Sequence, residues 1–334
     1  MSYSNEVLRG LLLEEVILYI LSWSGYVPIL NASADTTLRD GTSGLEVRGR
    51  GTWHQIDAIA DFSLVPPFSN PQRLLVEAKF KGTKTGIEII RNATGVHKDV
   101  SENWVVDTTV RGQVSARKRY HYLYAVFSKE SFTKPAQDYA YAQDIYLLPL
   151  KRSVYFQPII DAINAISFDR DDKPALKEVR KFVRSYLLET HEVMPIRNEE
   201  YRGMLRELVN ICHRRGHGFM TMFDGNFPIF LSAEVGLDEL DIQQINRVRI
   251  KVLDGNWFIE DQDERRLFFF DLPDEIFKKY EKSGTLTRRS LARIKEDFMS
   301  EFYAYRSLNG RIELIQFRID QRWFDQVKEN LGMR

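Results

Sequence analysis

The stretch HQIDAIADFSLVPPFSNPQRLLVEAKFKG, His54 to Gly82, sets Asp57, Glu77 and Lys79 among apolar residues. Side chains at i and i+2 of a strand share a face, so Glu77 and Lys79 point one way and Ala78 the other. Asp57, on a neighbouring strand, can sit beside them. Burying charge costs several kcal/mol unless it is paired or metal-bound, so these three groups need a reason to converge. Two carboxylates supply hard oxygen ligands for Mg²⁺, or for Mn²⁺ in its place. Mg²⁺ suits such a site because it takes few protein ligands and keeps water and substrate phosphate. Lys79 would position or help deprotonate an attacking water and offset charge on a phosphoryl transition state. The chemistry that fits is phosphodiester hydrolysis. The plainer alternative is an edge hairpin carrying a surface glutamate and lysine.

These residues depend on the elements that hold them. Ile56, Ala58 and Ala60 alternate with other residues, Leu74 to Val76 form an apolar run, and PPFSNP between them is rich in turn residues. That pattern predicts a hairpin. Upstream, Glu6 to Ser22 reads as a helix stopped at Gly25-Tyr26. GLEVRGRGTWHQIDAIADF reads as one extended unit. Downstream, TGIEIIRNATGVHKDV reads as a helix, HYLYAVFSK as a strand, KPAQDYAYAQD as a helix and IYLLPL as a strand. The expected fold is α/β, a mixed sheet flanked by helices, over residues 1–150.

This constellation resembles the PD-(D/E)xK nuclease superfamily, in particular Mrr-like restriction endonucleases and Holliday-junction resolvases. LEEVILYILSWSGY resembles the opening helix of that branch, which bears a glutamate and ends in Gly-Tyr. HQIDAIA resembles its aspartate strand, VEAKF its E-x-K strand, and YAVFSKESFTKPAQDYAYAQDIYLL its closing strand and helix. Ile56 stands where the superfamily has proline, and the loop between the two acidic strands is rather long. The resemblance covers about residues 5–150 and implies a restriction-endonuclease-like sheet. It implies metal binding by Asp57, Glu77 and Glu14, with Glu15 as the adjacent alternative to Glu14, and catalysis by Lys79. It further implies Mg²⁺-dependent cleavage of DNA by in-line attack of water, leaving a 5′-phosphate. A restriction or antiviral defence role follows, with a homodimer or a larger complex containing a separate ATPase or sensor subunit as its setting. A junction resolvase would keep the chemistry, but the length of this chain speaks against one.

Residues 151–216 read as a helical connector and 217–334 as an α+β domain for recognition or partner binding. Two Asp-Gly-Asn turns there, at Asp224 and Asp254, signal hairpins. DEIFKKYEKSGTLTRRSLARIKEDFMSEFYAYRSL reads as helical with a break at Ser283-Gly284, and IELIQFRI as a strand. The alternative function is a nuclease-fold subunit that binds nucleic acid or assembles with others, its C-terminal half holding a partner protein.

Charge adds local rather than global information. The 334 residues carry 47 basic and 47 acidic side chains, so no overall positive field points to nucleic acid. Arg117, Lys118 and Arg119, together with Arg289 and Arg293 on one helix face, are the candidate DNA contacts. Arg48, Arg50, Lys81 and Lys84 are further basic residues near the hairpin. A solvated basic surface is the alternative for each cluster. Cys212, His213 and His217 fall short of the four ligands of a structural zinc site. The single cysteine and an N-terminus without signal-peptide features lead to the expectation of a cytoplasmic protein, and no membrane span is expected.

Overall fold

The computed structural model describes residues 3–33, 35–107, 115–169, 172–190, 195–215, 218–224, 227–234, 247–308 and 311–333. The chain divides into two compact units, Met1–Arg214 and Arg215–Arg334.

In the first unit, α1 (Asn5–Trp23) starts at Ser4, whose hydroxyl accepts the Val7 amide hydrogen, and stops before Gly25 at φ 82°. Its buried residues run almost unbroken from Leu11 to Leu21, because α1 is covered from more than one side. It packs against β1 (Tyr26–Pro28), β5 (Ala58–Phe62) and β6 (Gln72–Lys79) of the main sheet. It also packs against the later helices α4 (Gln157–Ala165) and α5 (Leu176–Leu187).

Between β1 and β5 the chain makes a separate antiparallel sheet of β2 (Leu38–Asp40), β3 (Leu45–Arg48) and β4 (Trp53–Gln55). The single extended unit expected from Gly44 to Phe62 is therefore broken twice. It turns after Arg48, and it changes sheet at Ile56-Asp57.

The main sheet has the order β1-β5-β6-β9-β10, with β9 at His121–Ser128 and β10 at Ile145–Pro149. β1, β5 and β6 are antiparallel, whereas β6, β9 and β10 are parallel. Parallel neighbours need a crossover, supplied by α2 (Ile87–Ser101) and α3 (Lys134–Ala142). A small pair, β7 (Val105–Asp107) and β8 (Ser115–Arg117), lies between α2 and β9 in sequence. Ile59, Leu75, Tyr124 and Val126 of the sheet share a core with Ile90 and Ala93 of α2 and Ala136 and Ala140 of α3.

The expected connector belongs to this unit. α5 covers α1 with Val179, Phe182 and Val183, and α6 (Glu199–Arg214) packs on α4 and α5. An amphipathic helix next to a strongly apolar α1 has a face to bury, and it buries it there.

The second unit contains a closed barrel, β11-β12-β15-β14-β13-β17-β16. Its strands are β11 (Gly218–Phe223), β12 (Phe227–Ala233), β13 (Arg247–Leu253), β14 (Asn256–Glu260), β15 (Arg266–Phe270), β16 (Glu301–Leu308) and β17 (Arg311–Ile319). Phe219, Phe223, Phe268, Phe302 and Phe317 form its aromatic core. Both pairs of strands, β11 with β12 and β13 with β14, are antiparallel neighbours as expected. Asp254 and Gly255 have φ 51° and 85°, the positive pair that a tight two-residue turn requires, while Gly225 and Asn226 lie outside the described residues.

Helices α7 (Asp274–Tyr280), α8 (Arg288–Phe298) and α9 (Gln321–Asn330) accompany the barrel. The chain between α7 and α8 does break at Ser283 and Gly284, both at positive φ. EFYAYRSL, expected to be helical, is instead β16. Phe302, Ala304 and Arg306 alternate inward, a period of two that pairing with β17 turns into a strand. No helix among the described residues is long and apolar enough to cross a membrane.

Candidate active site

Register explains how Asp57 reaches Glu77 and Lys79. In the β5–β6 ladder Ala58 lies opposite Val76, and β5 begins there. One residue earlier, the Asp57 side chain replaces the ladder, its Oδ2 accepting the Ala78 amide hydrogen at 2.8 Å. Lys79 Nζ contacts the Glu77 carboxylate and stands 3.9 Å from Asp57 Oδ2. The Tyr124 hydroxyl, on the adjacent β9, donates to Glu77 Oε2 at 3.4 Å. All three ionisable side chains are partly accessible, at 19%, 16% and 20% of their full exposure for Asp57, Glu77 and Lys79. Burial, and then the Glu77 charge, raise the Asp57 carboxyl above its ordinary value, against the Ala78 amide and Lys79, which favour the charged form.

The α1 glutamates separate into two roles. Glu15 is 1% exposed and accepts two hydrogen bonds from Arg184, both at 2.7 Å, so it ties α1 to α5. Glu14 accepts from Arg180 at 2.7 Å and opens onto a cleft of about 670 Å³ that it shares with Asp57. Burial, followed by the Asp57 charge, pushes the Glu14 carboxyl up to about 7 in spite of Arg180. Glu14 is thus the α1 glutamate that senses the hairpin site.

A divalent cation can be tested against this donor set. Asp57 and Glu77 both reach the Lys79 ammonium, so their oxygens address one positive centre. Their mutual repulsion is the kind that a cation relieves. Two carboxylates suit Mg²⁺, which fills the rest of its shell from water and phosphate. Among the described residues no three His, Cys, Asp or Glu side chains form a ready-made metal cluster, and the Glu14 carboxylate is engaged by Arg180. Asp57 and Glu77 are the pair that fits, and Glu14 faces the same cleft as Asp57 while pairing with Arg180.

The other candidates fall elsewhere. Lys118 is exposed, and the Arg117 side chain lies outside the described residues. Arg119 is half taken up by the loop before β2, 3.8 Å from Asp35. In the second unit Arg289 and Arg293 are both exposed, and Arg289 Nε donates to the Leu331 carbonyl at 3.1 Å. Of the basic residues near the hairpin, Arg50 pairs with Glu102 at 3.0 Å and Arg48 lies over the Trp53 ring. Cys212 is fully buried, and burial pushes its thiol up to about 12. The His213 ring lies 5.7 Å from that of Tyr19, and His217 is outside the described residues. Sequence reasoning passed over Arg180, Arg184 and Tyr124. The first two belong to a visible pattern in KPALKEVRKFVRSYLLE, basic residues recurring at helical spacing.

No family model matches this chain, and no curated protein does. It is similar to the crystal structure of a protein of unknown function, at 13% identity and a TM-score of 0.33, over 61% of this chain and 98% of that one.

Proposed function

We propose that the chain is a metal-dependent endonuclease that hydrolyses phosphodiester bonds in DNA, with the first unit as a restriction-endonuclease-like nuclease domain. The observation that carries this reading is the convergence of Asp57, Glu77 and Lys79 at the end of one hairpin, with Lys79 Nζ in contact with Glu77 and 3.9 Å from Asp57. The order of elements supports it: a helix, an antiparallel β1–β5–β6 meander, a helical crossover and the parallel strand β9.

Asp57 and Glu77 would hold Mg²⁺ or Mn²⁺, which when bound supplies charge to the phosphoryl group and lowers the pKa of the attacking water. Lys79 directs that water toward phosphorus and offsets negative charge as it develops. Tyr124 steadies the Glu77 carboxylate from β9. The Ala78 amide holds Asp57 through Oδ2, the same oxygen that stands 3.9 Å from Lys79 Nζ. A role in restriction or defence against foreign DNA is the biological setting we propose.

The second reading is a binding or assembly subunit. It draws on the pairing of Glu77 with Lys79 and of Glu14 with Arg180, which balances both carboxylates without a metal. Incubating the full chain with supercoiled, linear, single-stranded and modified DNA in Mg²⁺ or Mn²⁺ separates the two. The nuclease reading expects products with 5′-phosphate ends from at least one substrate, lost in Lys79→Ala. Intact DNA throughout would favour the binding subunit.

A further inference from the structure

Lys295, in the second unit, is a buried lysine with no anion beside it. On α8, Ala292, Lys295 and Phe298 recur at intervals of three and are all buried, Lys295 to 8% of its full exposure. That spacing places them on one helix face, so an ammonium stands where the pattern calls for an apolar side chain. A buried charge is normally paired. Among the described residues the Lys295 ammonium has neither a carboxylate nor a hydrogen-bond partner, and it lies 5.3 Å from the centre of the uncharged Trp323 ring of α9.

The charged side chain that acts on it has the same sign. Lys251 of β13 contacts the Glu260 carboxylate of β14, and its charge disfavours that of Lys295. Burial first, and then Lys251, lower the Lys295 ammonium from 10.5 to about 8. At pH 7 roughly a tenth of Lys295 is then free amine, against well under a thousandth of an ordinary lysine. Desolvation and a neighbouring cation are the two conditions that make a lysine an amine nucleophile. An electrophile that reaches this amine must be small, since so little of the residue is open. One whose adduct is an anion would turn the repulsion from Lys251 into attraction.

We propose that Lys295 is a carbamylation site, its ε-amine adding to dissolved carbon dioxide and Lys251 holding the carbamate. The amine lone pair forms the N–C bond, one C=O electron pair moves onto oxygen, and a proton leaves the nitrogen for solvent. The product is a carboxylate in place of an ammonium. An unpaired buried cation thereby becomes the anionic half of an ion pair, and α8 is fastened to β13. The site is independent of the nuclease reading.

The test is chemical trapping on the full native chain. The protein is equilibrated with ¹³C-bicarbonate at pH 8, treated with triethyloxonium ion to fix carbamates as ethyl esters, digested, and mapped by mass spectrometry. Lys295 should carry the ¹³C label at least about tenfold above the exposed lysines. In urea, where burial and Lys251 no longer act, it should fall to their level. These two arms do not depend on any variant folding. Lys251→Ala should cut the Lys295 label about tenfold, because it removes the counter-charge and lets the amine regain its proton, and Lys251→Arg should restore it. Labelling of Lys295 in the native chain no higher than that of exposed lysines would overturn the proposal, leaving a lysine that buries its stem and carries its ammonium to the surface. Undiminished labelling in a folded Lys251→Ala chain would overturn the part assigned to Lys251.

Discussion

Asp57 Oδ2 and the Ala78 amide nitrogen are 2.8 Å apart, so the residue preceding β5 is hydrogen-bonded to the strand bearing Glu77 and Lys79. The bond replaces the ladder pair that would have continued β5, and it fixes the distance between the two acidic residues of the site. Asp57 therefore serves both the fold and the chemistry.

Removing that bond and removing the charge should give different results. Asp57→Ala leaves a backbone donor without its acceptor at a residue only 7% exposed, which costs about 1–3 kcal/mol. Glu77→Gln keeps the backbone intact and removes a like charge, so its melting temperature in EDTA should equal or exceed that of the native chain. Thermal denaturation of the two variants checks this. Asp57→Ala melting with the native chain would show that the bond contributes nothing.

Glu14 gives a dependence on pH. Its carboxyl is held up to about 7 from an ordinary 4.5, first by burial and then by Asp57, so the native chain keeps a proton that the unfolded chain releases. The associated stability is complete below about pH 4.5 and is lost as pH rises through about 7, on the order of 3 kcal/mol at most. Glu14→Gln should flatten the fall in melting temperature over that window in EDTA. Equal slopes for the two proteins would contradict this assignment.

The Glu15–Arg184 pair separates the two adjacent glutamates by function. Arg184→Ala leaves the Glu15 carboxylate, 1% exposed, with the more distant Arg180 at 3.3 Å as its remaining cation among the described residues, and should destabilise the first unit by about 3 kcal/mol. Denaturant melts would show it. If Glu14 is the site glutamate, Glu14→Gln should instead change activity while leaving stability at neutral pH close to native or higher.

Much of the hairpin could be read in the sequence, because strand alternation alone puts Glu77 and Lys79 on one face and a turn-rich loop announces the pairing. The same alternation hid the break at Asp57, where a side chain rather than the backbone makes the bond. Arg180 was out of reach for a different reason. It meets Glu14 across 166 residues of chain, and α5 alone looks like any amphipathic helix. β16 was misjudged because Arg-, Glu- and Lys-rich sequence before it continues a helical pattern, and only β17 and the barrel closure through Thr221 and Ala304 select the strand. Local propensity is weak where partners are distant.

The most direct measurement is the single-turnover cleavage rate of the best-cut DNA in Mg²⁺ for the native chain, Asp57→Asn, Glu77→Gln and Lys79→Ala. All three variants retain the main-chain hydrogen bonds of the hairpin, and Asp57→Asn keeps an acceptor for Ala78. The account predicts that each loses at least about 10²-fold in rate while keeping native-like melting. Cleavage at native rates by any one of them would contradict the role given to that residue, and cleavage at native rates by all three would place the chemistry elsewhere in the molecule.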